Sequence, residues 1–212
     1  MHIDAIGPFT VATNSGYKHA LFLTDDCTRH VTTELMATLD LQVERFEKWL
    51  IWANTQTDTK LKWVRCDGAW DSLHMRKLET LHGFERKMTA RDHPQSNGTA
   101  ERMGGIISTK ARTMLVHSRM PQSFYGEALK PATFTWNHTP IMVNAEKDSI
   151  SSPNQLFKSE YRCSIITSSP LRPFGCKAFV KVVHANTGKA LPRADCLMLR
   201  LSMASMAWIQ PC

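Results

Sequence analysis

The alternation of apolar and polar positions divides this chain into short strands and amphipathic helices. "MHIDAI" alternates and stops at Gly7-Pro8, which predicts a strand and then a turn. "YKHALFLTDD" and "HVTTELMA" read as two further strands, joined through Asp25–Arg29 into an antiparallel hairpin. In "LDLQVERFEKWLIWANTQT" the apolar residues Leu41, Phe46, Leu50 and Ala53 recur at helical spacing with charges between them. "KLKWVRC" is a strand running into Asp67-Gly68. "SLHMRKLETLHG" is a helix closed by Gly83, the residue type favoured just past a helix end. "FERKMTA" is a short strand, followed by the breaker-rich loop around Pro94, Asn97 and Gly98 and then by the helix "TAERMGGIISTKARTMLVHS". "PQSFYGEALKPATFTWNHTP" is a helix opened by Pro121 and ended before Pro140. "SPNQLFK" is a short helix starting at Ser152 or Pro153, and "FGCKAFVKVV" is a last strand. Trp63 and Trp136 fall at apolar positions of their elements and are expected in the core.

Three hairpin-like strands followed by alternating helices and strands predict an α/β domain. Its sheet is mixed, three antiparallel strands and then parallel ones, because strand 61–66 follows a crossover helix. Residues 1–150 are expected to form this core, and 151–212 a basic extension with a short helix and a strand.

Charge sharpens that division. The net charge is +7, and by segment it is −1 over 1–66, +2 over 67–150 and +6 over 151–212. A basic tail of this kind suits a polyanion. The six Cys show no metal-site spacing, and the longest apolar stretch, "CLMLRLSMASMAWI", is too short for a membrane span. They are read as reduced thiols of an intracellular protein. The chain opens in mid-strand, as expected of a segment cut from a longer protein.

The chemistry is carried by carboxylates. Asp4 lies in the first strand and Asp67 just past the carboxyl end of a neighbouring strand, where ligands of such sheets bind. Glu101 stands in the first turn of the helix after the loop. An acid there suits the helix dipole in any protein, but two strand acids and one helix acid converging would repel one another. Divalent cations, Mg²⁺ or Mn²⁺, resolve that repulsion with oxygen ligands and support phosphoryl transfer. Asp25, Asp26, Asp71 and Asp92 are expected as surface charges or caps.

Eight pieces carry a resemblance in order along the chain: "HIDAIGPF", "LFLTDDCTRH", "VRCDGAWDS", "HPQSNGTAERM", "KARTML", "WNHTP", "SPNQLF" and "PLRPFGCKAFVKV". With them the chain resembles the integrase core of copia-type (Pseudoviridae) LTR retrotransposons. The resemblance implies a ribonuclease-H-like fold and metal-dependent 3′-end processing and strand transfer of element DNA into target DNA. It implies Asp4, Asp67 and Glu101 as catalytic metal ligands, and Gln95, Asn97 and Gly98 in the catalytic loop. Arg102, Lys110, Arg112, Lys177 and Lys181 are expected near nucleic acid. Element ends and target DNA would be the partners, a homo-oligomer the working form and the nucleus the working place, with no membrane and no small-molecule substrate.

The chain departs from the family pattern at Gly68-Ala69, where the family has Asn-Gly, and at His138, where it has Arg. It departs again at Met103-Gly104-Gly105, in place of a basic helix start. Two interior glycines cost roughly 2 kcal/mol of helix stability against Ala. These departures motivate the alternative of an inactive remnant that keeps the fold and binds nucleic acid weakly.

Overall fold

The computed structural model describes residues 1–88, 98–142, 150–163, 172–179 and 198–200. A five-stranded sheet organises them: β1 (His2–Ile6), β2 (His19–Thr24), β3 (Val31–Met36), β4 (Trp63–Cys66) and β5 (Glu85–Met88), in the order β3-β2-β1-β4-β5. β1, β2 and β3 are antiparallel, and β4 runs parallel to β1 and β5. This is the expected mixed sheet. Between the strands run α1 (Gln42–Gln56) and α2 (Leu73–His82); after β5 come α3 (Gly98–Ser118), α4 (Tyr125–His138) and α5 (Pro153–Tyr161). Two small antiparallel pairs, Ile141–Met142 with Ile150–Ser151 and Lys177–Phe179 with Met198–Arg200, complete the described elements.

Local chemistry sets the helix ends. Ser72 Oγ accepts the Met75 amide at the start of α2, and Gly83 closes it in the left-handed region at φ 71°. At α5, Ser152 and Gln155 form a reciprocal capping box with Pro153 at the first turn.

Each face of the sheet has its own core. Ile3, Leu21, Leu23, Val64 and Cys66 face α1 and α2, around a fully buried Phe46 that meets Trp70 and Phe84 edge-on. Ala20, Phe22, Val31 and Leu35 face α3 and α4, against Met103, Ile107, Ala111 and Leu129. The second layer is narrower than the sheet: α3 lies on β1 and β2, and α4 on β3. On that side β4 and β5 carry exposed side chains. Trp63 is therefore not core: it is 43% exposed, beside exposed Arg65 and Lys87. Apolar character alone assigned it inward, while its face depended on where α3 stops. Trp136 is half-buried against the second core and donates its indole N–H to the Arg29 carbonyl (3.0 Å).

Side chains answer main-chain groups on both rims of the sheet. On β3, Asn137 accepts the Val31 amide (2.9 Å) and donates to the Val31 carbonyl (2.7 Å). On β5, Glu79 accepts the Arg86 amide (2.9 Å). α5 docks on α4 and on the β2–β3 turn. Asn154 donates to His138 Nε2 (3.0 Å), Phe157 packs on His30, and the Tyr161 hydroxyl meets both Asp25 oxygens at 3.0 Å. Burial pushes His30 down to about 4, so its imidazole is neutral at neutral pH.

Candidate active site

Strand register brings the two aspartates to one place. His2 of β1 pairs with Arg65 of β4 in parallel. Two residues further along both strands stand Asp4 and Asp67, on the face that α3 covers. Asp67 leaves the strand as the cap of a short 3₁₀ turn, Gly68–Trp70, and its Oδ1 accepts the Ala69 amide at 3.0 Å. Trp70, 2% exposed, anchors that turn in the first core, so the carboxylate is held at the strand end from below. Asp4 is half-buried and its Oδ1 accepts the Ala5 amide (2.9 Å). Glu101 is exposed in the first turn of α3, between the buried Ala100 and Met103.

α3 starts directly over Asp4. A methyl group placed on Gly104, one turn past Glu101, would stand 3.8 Å from Asp4 Oδ2 and 3.5 Å from the Phe22 ring. The position is buried at the helix–sheet contact, so a cationic side chain here would point at the core and not at DNA. Gly105, by contrast, is exposed with nothing around it.

Electrostatics ties the trio together. Burial raises Asp4 above the usual carboxylate range; the Ala5 amide opposes this, and the charges of Asp67 and Glu101 add to it. Among the described residues none of the three is ion-paired to Lys or Arg. Also among the described residues, no three His, Cys, Asp or Glu side chains close to metal-holding distance. The donor set still fits a hard divalent cation in kind: three carboxylates that repel each other, all oxygen, with no thiolate or imidazole among them.

Comparison with known proteins follows the same lines. No protein-family model matches the chain. Over 184 residues, 86% of its length, it is 30% identical to the retrovirus-related Pol polyprotein from transposon TNT 1-94 of Nicotiana tabacum, and it spans 13% of that polyprotein. A simian T-cell lymphotropic virus intasome in complex with PP2A regulatory subunit B56 gamma matches 90% of the chain and 66% of its own, with TM-score 0.58 and 16% identity. The HTLV-2 integrase catalytic core domain in complex with magnesium, in a dimeric form, matches 73% of the chain and 92% of its own, with TM-score 0.51 and 15% identity. The chain folds as an integrase catalytic core.

Within that integrase fold the remaining expected site residues fall in different places. Gly98 opens α3, and Gln95 and Asn97 lie outside the described residues. Arg102 and Arg112 are exposed on α3. At about 100° per residue, Arg112 returns to within roughly 20° of Glu101, while half-buried Lys110 is turned to the opposite side. Lys177 begins the small C-terminal strand pair, and Lys181 lies outside the described residues.

The other expected surface acids are structural. Asp25 accepts the Thr28 amide and hydroxyl, Asp26 pairs with Arg29 (2.6 Å) and His2 (3.2 Å), and Asp71 is bonded by Arg76 and Arg86. Asp92 lies outside the described residues. His138, in place of the family's Arg, is used at the α4–α5 joint, its Nδ1–H on the Phe134 carbonyl (2.8 Å). Sequence reasoning missed the open face of β4. The period-two pattern did carry it, since Trp63, Arg65 and Asp67 alternate with buried Val64 and Cys66.

Proposed function

We propose that the chain is the catalytic core of a copia-type retrotransposon integrase, processing the 3′ ends of element DNA and joining them to target DNA. The observation that carries this reading is the juxtaposition of Asp4 on the central strand and Asp67 at the end of its parallel neighbour, with the start of α3, which bears Glu101, packed against Asp4. Asp4, Asp67 and Glu101 would hold Mg²⁺ or Mn²⁺. When bound, the ions supply an activated water or 3′-hydroxyl nucleophile and stabilise the leaving oxygen. The protein's own part is positioning. The capped turn fixes Asp67 at the end of β4, the half-buried sheet position shields one side of Asp4, and the first turn of α3 carries Glu101 to the rim. Arg102 beside Glu101, and Arg112 about 16 Å further along the helix, supply positive charge for phosphate. DNA partners, a homo-oligomeric working form and nuclear action belong to the same proposal. A strand-transfer assay with Mn²⁺ tests it. Activity in the chain and its loss in Glu101→Gln are expected, and equal activity in the two would remove Glu101 from the mechanism.

A second reading is a catalytically inactive remnant that binds nucleic acid weakly. Favouring it, Gly68-Ala69 replaces the family's Asn-Gly beside Asp67, and the described carboxylates do not close to metal-holding distance. Calorimetric titration with Mg²⁺ or Mn²⁺ separates the two. A dead site gives no saturable heat that depends on Asp4, Asp67 and Glu101.

A further inference from the structure

On the α3 side of the sheet, the described helices pack on β1, β2 and β3, and β4 and β5 present a strip of exposed side chains. Its residues come from the parallel register: Trp63 stands beside Glu85, and Arg65 beside Lys87. Trp63, Arg65, Glu85 and Lys87 are all exposed, and the Lys87 ammonium lies 3.7 Å from the centre of the Trp63 ring. The strip ends at Asp67. Along an extended strand Arg65 precedes Asp67 by ~7 Å and Trp63 by ~13 Å. At its other end it opens into a cleft of about 390 Å³, lined by Trp49, Lys60, Lys62, Trp63 and Tyr161. The acids of that cleft, Asp25 and Asp26, are already met by Thr28, Tyr161, Arg29 and His2. Four cations, Lys60, Lys62, Arg65 and Lys87, thus line the cleft and the strip together with Asp25, Asp26 and, beside Trp63, the exposed Glu85, on a surface that leads to the carboxylate trio.

From this we infer that the β4–β5 strip is a track for one strand of nucleic acid, resting on the proposed reading of the trio as the reacting centre. Arg65 and Lys87 hold the phosphate next to the reacting one, and Trp63 stacks an unpaired base at the mouth of the cleft. Neighbouring strands lie only ~4.8 Å apart, so the two cations straddle a single sugar–phosphate backbone. Stacking on Trp63 also requires a base out of its duplex, so the occupant is an unpaired strand end. These residues position substrate and do not touch the reacting atoms.

The test uses the full chain and a fluorescein-labelled single-stranded DNA 12-mer in EDTA, read by anisotropy across a salt series. Arg65→Ala with Lys87→Ala should weaken binding at least 10-fold. It should also flatten the log–log salt dependence by about 1.4, the value for two lost phosphate contacts on a single strand. Trp63→Phe should abolish most of the binding-induced quenching of tryptophan emission. All the substituted side chains are exposed, and unchanged melting curves confirm the fold. Unchanged affinity and salt slope in the double variant overturn the track. So does a wild-type chain without measurable affinity, or polyglutamate competing as well as the 12-mer at equal charge. Glu101→Gln keeps the two ideas apart. If it loses strand transfer while the double variant binds normally, the track falls and the catalytic reading stands. If it stays active while the double variant loses affinity, the catalytic reading falls and the track stands.

Discussion

Asp25 and Asp26, in the turn after β2, and Asp4 and Asp67, toward the opposite end of β1 and β4, are aspartates of one sheet with opposite surroundings. Every charge in the first pair is answered: Thr28, Tyr161, Arg29 and His2 supply donors to the turn. The second pair shares its edge with Glu101 and, among the described residues, has no Lys or Arg against it; Asp4 is raised by burial and by both neighbours. The first arrangement spends its acids on holding α5 and the hairpin together. The second leaves charge unanswered, which costs stability unless a cation or ligand supplies the balance. Acid content alone does not mark a site; acids that share one place with other acids and no cation do.

That contrast can be broken at either end. The largest effect is expected from Glu101→Gln, with strand transfer down at least about 100-fold and melting unchanged, measured side by side. Asp25→Ala should do the reverse. Loss of its bonds to Thr28 and Tyr161 removes about 3 kcal/mol, roughly 10 °C in Tm for a chain of this size, without affecting cation binding in a titration. Gly105→Ala, at an exposed helical position with open space around it, should raise stability by about 1 kcal/mol, read from denaturant unfolding. Asp4→Asn sharpens the comparison through its sign. Because the folded carboxyl titrates above its unfolded value, the unfolded chain ionises first as pH rises, and the folded state loses stability through that window. The variant should therefore be the more stable protein at pH 7. The gap should close as pH falls below the unfolded carboxylate value near 3.9. A gap that widens on acidification would mean Asp4 is a satisfied structural acid like Asp25.

Much of this was legible from residues alone, because it is local. Periodicity placed β1 to β5 and α1 to α4. Gly83 and Ser152 marked helix ends by their own backbone or side-chain chemistry, and the strand-end position of Asp67 followed from the crossover. What escaped is non-local. Tyr161 meets Asp25, and Asn137 meets Val31, across more than a hundred residues. Trp63 was assigned by its hydrophobicity, when its exposure depends on how far α3 and α4 extend over the sheet. The inward direction of Gly104 escaped for the same reason: it depends on the docking of α3 over Phe22 and Asp4.

The carboxamide of Asn137 on β3 and the carboxylate of Glu79 on β5 have a consequence for the molecule's behaviour in a crowded polypeptide. A bare rim of a sheet is an invitation to any extended segment nearby, and a core released from or embedded in a long chain has many such segments around it. Here the rim amides of Val31 and Arg86 are already occupied from within. A stranger's strand adding at either of these two positions would first have to evict a resident side chain.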